Sequence, residues 1–284
     1  MIFNHYWYSR LKIKFEKQGF LGVVLSILKY LNSTLNPKIN GEFPFKHLFL
    51  KKRRFIKSFC KKNLDILDDN NIITVGNYLV NKKNLNSNSI IYSFGIGENI
   101  NFEKNISEKF NCKVFAYDPT SLAKNYMSQT KYDNSTIIFK SYGIWTKDGK
   151  IKFFFQDESK TSNSGGSITN LFETSSYEEL QCFTLSTLMQ QNRHNTIDLL
   201  KLDIEGAAMD VIDNILQDKI FPSQIVVEFE YSESDDIDED HFKIWSQRLK
   251  NIINNFKEKK YRCYNLPRFS HMPYSTIEIL FIRQ

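Results

Sequence analysis

The chain has 284 residues, 41% hydrophobic and 25% charged, with a formal net charge of +6; this suits one α/β domain with an appendage, or two small domains, and excludes a disordered or fibrous chain. Four cysteines, Cys60, Cys112, Cys182 and Cys263, stand far apart with no C-x-x-C pair, so neither a disulfide framework nor a cysteine metal site is expected and a cytoplasmic, reduced setting is. The most apolar window, Gly19 to Leu28, falls short of the ~20 residues that a spanning helix needs, and no secretory signal pattern is read.

Residues 1–64 hold fourteen Lys and Arg against two acids, about +12, which leaves 24 basic and 30 acidic residues, about −6, for the remainder. The apolar positions Trp7, Leu11 and Phe15, then Phe20, Val23, Val24, Ile27, Leu28 and Leu31, have helical spacing, so two helices broken near Gly19 are expected. A turn-rich link around Pro37 and Gly41–Pro44 leads to a basic helix over Leu48–Leu67, with Leu50, Phe55, Ile56 and Phe59 able to face a core. Residues 1–71 thus read as a basic helical module before a main domain at 72–284. Its charge is either a solvated helical surface or an attractor for an anionic membrane face or a phosphorylated glycan. Nucleic acid is the less favoured partner.

The main domain opens on a leading strand, Ile72–Val80, then a strand Ile90–Phe94, a helix Phe102–Phe110, a strand ending at Tyr117, a helix Thr120–Ser128 and a strand Ile137–Lys140. Asp148-Gly149 between two strand-like runs suggests a tight hairpin, and the polar run Gln156–Asn170 a loop overhanging the site. Further strands follow at Ile197–Asp203 and Gln224–Phe229, with a helix Ala207–Leu216 between them. After the acidic run Ser232–Asp240 come a helix Phe242–Lys257 and two late strands, Tyr261–Asn265 and Thr276–Ile282, joined by a loop holding His271. Strands alternating with helices argue a mostly parallel sheet covered on both faces.

Three strand ends carry the chemistry. The first runs S-F-G-I-G-E from Ser93 to Glu98, and closely spaced glycines let a ligand approach the backbone. The second stops at Asp118-Pro119, twenty-one residues past Gly97, where a carboxylate can grip vicinal ribose hydroxyls or, alternatively, cap the next helix. A third residue past Gly97 is Ile100 rather than glycine, which argues against a pyrophosphate-binding dinucleotide site. The third end, K-L-D-I-E-G, places Asp203 and Glu205 at its tip, and Glu228 and Glu230 end the neighbouring strand. Carboxylates gathered in this way imply a metal, a shared proton or a basic substrate group.

The runs Y-S-F-G-I-G-E-N-I, A-Y-D-P-T, D-L-L-K-L-D-I-E-G-A-A and Q-I-V-V-E-F-E-Y resemble the FkbM-type methyltransferases, a branch of the S-adenosyl-L-methionine-dependent class I enzymes. The resemblance covers Val75 to the carboxyl end. It implies a Rossmann-like seven-stranded sheet closed by an antiparallel hairpin, S-adenosyl-L-methionine as cofactor, and a hydroxyl on a sugar of a glycan, glycolipid or secondary metabolite as acceptor. The chain departs from the pattern where an acid is usual on the first strand, which is Ser93, at the third glycine, which is Asn99, and at Ala208, where the family often has Glu. The cofactor residues implied are Ser93, Gly95, Gly97, Glu98, Asp118, Pro119 and Asp203. Asp203 is the candidate base, with His271 and then His241 behind it, and Asp203, Glu228 and Glu230 are the candidate Mg²⁺ ligands. Methylation of nucleic acid or protein, and a silent binding protein that keeps the fold, are the alternatives.

Overall fold

The computed structural model describes residues 56–155, 166–170, 175–230, 239–265 and 276–284. The helices expected within residues 1–55, most of the polar loop, the acidic run 231–238 and the loop holding His271 lie outside the described residues. Residues 56–63 are helical. Then come β1 (Ile72–Val75), β2 (Tyr78–Asn81), β3 (Ile90–Phe94), α1 (Asn101–Phe110), β4 (Lys113–Tyr117), α2 (Ser121–Gln129) and β5 (Ile137–Lys140). The middle of the chain forms β6 (Gly143–Ile144), β7 (Gly149–Phe154), β8 (Tyr177–Phe183), α3 (Leu185–Asn192) and β9 (Leu199–Leu202). The last part forms α4 (Ala208–Gln217), β10 (Gln224–Glu230), α5 (Glu239–Glu258), β11 (Tyr261–Asn265) and β12 (Thr276–Arg283).

Short, continuously apolar runs such as Ile225–Val227 are best satisfied in the middle of a sheet covered on both faces. They lie in a seven-stranded sheet of order β11-β12-β10-β9-β3-β4-β5. β10, β9, β3, β4 and β5 run parallel, and β12 is antiparallel to both β10 and β11. One face buries Tyr92, Phe94, Leu200, Leu202 and Val227 against Leu188 of α3, Ile212 of α4, Ile252 and Phe256 of α5, and Phe59, Cys60 and Leu64. The other face buries Ile91, Val114, Leu199 and Val226 against Val75, Tyr78 and Val80 of the β1–β2 hairpin and Phe102 and Ile106 of α1. Residues 56–65, assigned by sequence to the amino-terminal module, are thus fastened to the sheet: Asp65 N donates to Cys263 O at 2.7 Å and Cys263 N to Asp65 Oδ2 at 2.6 Å. Among the described residues, no helix is long and apolar enough to cross a membrane.

Several elements differ from the sequence reading. The expected strand Ile72–Val80 is a hairpin forming a separate two-stranded sheet, because Gly76-Asn77 makes a two-residue turn in its middle. Its end is tied to the main sheet by Gln224, whose Oε1 accepts from Asn81 N at 2.9 Å and whose Nε2 donates to Asn81 O at 3.0 Å. The runs around Asp148-Gly149 do not pair with each other; both pair with β8, β6 in parallel and β7 antiparallel. Asp148 instead accepts from Thr184 N and Thr187 Oγ1, both at 2.8 Å, and so braces the start of α3. β8 itself was not foreseen, since Y-E-E-L-Q-C-F is polar and mostly exposed in its first half and carries a weak apolar signal. Finally, β9 stops at Leu202, which leaves Asp203 just beyond the strand rather than as its last residue.

Leu200 is fully buried at the centre of the parallel strands, whereas Ile244 on α5 is 67% exposed. Leu200→Ala should cost about 2–5 kcal/mol by loss of contacts and cavity formation, and Ile244→Ala no more than about 0.5 kcal/mol. Urea unfolding midpoints of the two variants check the assignment of the core.

Candidate functional site

The ends of β3, β4 and β9 meet at the carboxyl edge of the sheet, where open α/β sheets bind their ligands. Backbone bonds stitch them together: Gly95 N donates to Tyr117 O at 3.0 Å, and Asp203 N to Phe94 O at 3.2 Å. A Cβ on Gly95 would lie 1.6 Å from the Asp203 carbonyl oxygen, and its φ is +76°, so only glycine fits at this crossing. A cleft of about 240 Å³ opens above, lined by Gly95–Glu98, Asp118–Thr120 and Asp203–Glu205. Gly143 of β6, Phe153 of β7 and Gly166 border it from the inserted three-stranded sheet, so the insertion between the third and fourth parallel strands overhangs the site.

Asp118 is buried and works as a brace. Its Oδ1 accepts from Thr120 N at 2.9 Å and Thr120 Oγ1 at 2.6 Å, and its Oδ2 accepts from Gly97 N at 3.0 Å. Thr120, not Asp118, caps α2, by accepting from Ala123 N at 3.2 Å. A carboxylate oxygen has two acceptor directions, so Oδ2 can hold the loop amide and still accept from a ligand hydroxyl. Pro119 and Glu98 line the same cleft. Ser93 does not: it is fully buried, and its Oγ donates to Glu103 Oε1 at 2.5 Å.

Asp203 is held from below by two residues that the sequence reading passed over. Lys201, only 3% exposed, donates to Gly95 O at 3.0 Å and lies 3.9 Å from Asp203 Oδ2. Tyr78, from the β1–β2 hairpin, donates its hydroxyl to the same Asp203 Oδ2, and the Lys201 ammonium sits 4.9 Å from the Tyr78 ring centre. A lysine inside the apolar strand D-L-L-K-L-D was the available signal, because a charge is buried only where partners await it. Nothing in the sequence marks Tyr78, which arrives from 125 residues away.

Beyond Asp203 the chain turns through Glu205, whose φ of +42° is strained for a side chain without local hydrogen-bonding reach. Ser167 Oγ clamps the turn by donating to Glu205 O at 2.8 Å. Glu230, at the end of β10, is half-buried, with its Oε2 sealed from solvent; burial first, then the charges of Glu205 and Glu228, push its carboxyl up to about 10. A hydrogen bond with Glu205 and the Asp203 charge add to the shift. Glu228 lies opposite Glu278 across the β10–β12 ladder. These acids do not fit Mg²⁺: Asp203 Oδ2 already accepts from Tyr78 and lies 3.9 Å from the Lys201 ammonium, and among the described residues no group of three or more His, Cys, Asp or Glu is arranged to hold a metal ion.

Of the histidines, His271 lies outside the described residues, as do His5 and His47, while His241 is on α5 with its side chain outside them. His194 belongs to a different cluster, with its Nδ1 2.9 Å from the Tyr92 hydroxyl and its ring packed on Phe115.

Two outcomes test this geometry. Gly95→Ala should abolish S-adenosylhomocysteine binding, because the strand ends cannot stay stitched around a Cβ, whereas Gly97→Ala meets no protein atom within 4 Å and should cost folding stability only the ~1–2 kcal/mol of a left-handed alanine. Calorimetric titration and thermal unfolding of both variants decide it. The raised Glu230 carboxyl adds stability below its ordinary value of 4.5, and this stability is lost as pH rises through about 10. Glu230→Gln should therefore flatten the fall of unfolding free energy between about pH 5 and pH 10; the same fall in both proteins would mean that Glu230 is ionised when folded.

The residues present fit S-adenosyl-L-methionine: a loop that only glycine can form at Gly95, open space beside Gly97, and an acid at the second strand tip. A comparison with curated protein sequences returned no match. Among solved structures, the Methanococcus jannaschii fibrillarin pre-rRNA processing protein aligns at 11% identity over 77% of this chain and 84% of its own, with a TM-score of 0.39. Precorrin-6y C5,15-methyltransferase from Geobacter metallireducens aligns at 10% identity over 78% and 98%, with a TM-score of 0.36. Aeropyrum pernix fibrillarin with natively bound S-adenosyl-L-methionine aligns at 11% identity over 70% and 67%, with a TM-score of 0.37. Likenesses this distant carry no argument about the site or the acceptor. The family model for the methyltransferase FkbM domain, by contrast, matches residues 54–263, about three quarters of the 284. The chain belongs to the FkbM methyltransferase family and is an S-adenosylmethionine-dependent methyltransferase.

Proposed function

We propose that this methyltransferase acts on oxygen and that its acceptor is a sugar hydroxyl of a glycan, glycolipid or secondary metabolite. The observation that carries the reading is the anchoring of Asp203 beside the glycine loop. Its Oδ2 is engaged by Tyr78 and Lys201, which leaves Oδ1 for the acceptor. Methyl transfer to a hydroxyl needs alignment of oxygen, methyl and sulfur, and a base for one proton. As the O–CH₃ bond forms and the S–CH₃ bond breaks, the hydroxyl proton passes to Asp203. The sugar comes from the family resemblance. The surplus of basic residues in 1–64 supports an acceptor presented on an anionic membrane or phosphorylated glycan, with that segment as the holding module.

Incubation with methyl-labelled S-adenosylmethionine and a panel of glycans and glycolipids, read by mass spectrometry, tests the acceptor; label that appears only in RNA or protein would overturn it. With an accepted sugar, Asp203→Asn should lower turnover by ~10²-fold or more while the affinity for S-adenosylhomocysteine changes far less. Chelator should leave the rate unchanged. Near-normal turnover of Asp203→Asn would remove Asp203 as the base.

A further inference from the structure

A polar network runs from the wall of the cleft to a half-buried histidine. α3 ends at Asn192; Arg193 follows in the left-handed conformation, with φ +57°, and His194 N donates to Met189 O at 2.9 Å. Such a turn folds the chain back over the end of its helix, and the residues on either side of Arg193 both reach the sheet. Asn192 Nδ2 donates to the Tyr92 hydroxyl at 2.7 Å and to the Tyr117 hydroxyl at 2.6 Å, while its Oδ1 accepts from Lys140 Nζ, at the end of β5, at 2.6 Å. The Tyr92 hydroxyl lies 2.9 Å from His194 Nδ1 and 3.4 Å from the Leu188 carbonyl.

Tyr117 gives this network its bearing on the cofactor. It lines the cleft, and its ring stacks on Phe94 with the centroids 4.7 Å apart. Its carbonyl accepts from Gly95 N, and the next residue is Asp118, whose Oδ2 holds Gly97 N. A shift of Tyr117 therefore reaches both the glycine loop and the acid that braces it.

His194 is the member that titrates near neutrality. Burial raises the Tyr92 and Tyr117 hydroxyls, so both keep their protons, and it lowers His194, with the Lys140 and Lys113 charges adding to the effect. Tyr92 from β3, Lys113 from β4 and Lys140 from β5 face it among the described residues; α3 carries no acid or base. Neutral His194 accepts the Tyr92 proton. Once protonated, its Nδ1 can only donate, which turns the Tyr92 proton toward the more distant Leu188 carbonyl, and its charge opposes Lys140, which orients the Asn192 amide.

We propose that Asn192 and His194 are positioning residues for cofactor binding, acting through the Tyr117 hydroxyl on the strand end that carries Asp118. The network is complete only while His194 is neutral. Because folding holds His194 below its ordinary value of 6.5, the stability that it contributes is full above that pH and is lost as pH falls through the lowered value; cofactor affinity falls in the same direction. The inference rests on the cofactor assignment and not on the identity of the acceptor.

Calorimetric titration of the full chain with S-adenosylhomocysteine at about pH 7.5 and about pH 5 tests it. Wild-type affinity should weaken by about threefold or more at the lower pH. His194→Gln, which keeps an acceptor for Tyr92 and takes up no proton, should bind equally at both. Asn192→Ala cuts the link: it should weaken binding by about fivefold or more at the higher pH and remove the pH dependence of affinity, while its urea unfolding still shows stability lost as His194 is protonated. Tyr117→Phe, which keeps the ring on Phe94, should match Asn192→Ala, and it decides the matter should Asn192→Ala not fold. The same fall in affinity in wild type and His194→Gln, or wild-type affinity and pH dependence in Tyr117→Phe, would make the network merely structural and overturn the proposal. Failure of the wild type to bind at either pH would overturn the cofactor assignment and the proposal with it.

Discussion

Everything at the site depends on the crossing of two backbones, that of Gly95 at the end of β3 and that of Asp203 just past β9. The Asp203 carbonyl occupies the space that a Cβ on residue 95 would fill. This approach brings the glycine loop, the Asp118 tip and the Asp203 carboxylate into one cleft. No side-chain interaction could substitute for it, because the constraint is steric and lies in the main chain. It also explains why β9 ends one residue early: Asp203 N donates to Phe94 O and then leaves the ladder to pass over Gly95.

The second constraint is electrostatic. The sheet face under the cleft buries Lys201, Glu103, Glu228 and Glu278 within 6% exposure or less, with Ser93 among them. Charges taken from water are tolerable only when paired or neutralised. Lys201 does part of this, joining the Gly95 carbonyl and the Asp203 carboxylate with one ammonium. At Glu230, burial and three neighbouring acids push the carboxyl toward its neutral form.

The inserted β6–β8–β7 sheet and the β1–β2 hairpin flank the site from opposite faces. The insertion brings Phe153 and Gly166 to the rim of the cleft and fixes the strained Glu205 turn through Ser167. The hairpin works from behind, by reaching Asp203 through the Tyr78 hydroxyl. Neither belongs to the parallel sheet, yet each fastens one of the residues just past β9, Asp203 or Glu205, that carry the acids of the cleft.

The sequence by itself determined the order of the parallel strands' elements, the glycine loop and the three acid-bearing strand ends, because these depend on local signals: apolar runs of four to seven residues, a glycine pair, and carboxylates directly after a strand. That the last two strands close the sheet as an antiparallel pair came from the family resemblance and not from a local signal. The sequence did not reveal β8, whose polar half-exposed sequence carries no period, nor the turn that makes a hairpin of Ile72–Val80. Tertiary structure alone decided the roles of Tyr78 and Lys201, since each acts on a residue from another part of the chain. It also decided that Thr120 caps α2 while Asp118 braces Gly97, and that the acids past β9 and at the end of β10 lie close enough to raise the Glu230 carboxyl. Such choices follow from burial and from distance in space, and a carboxyl carries no mark in the sequence of which neighbours will surround it once the sheet has closed.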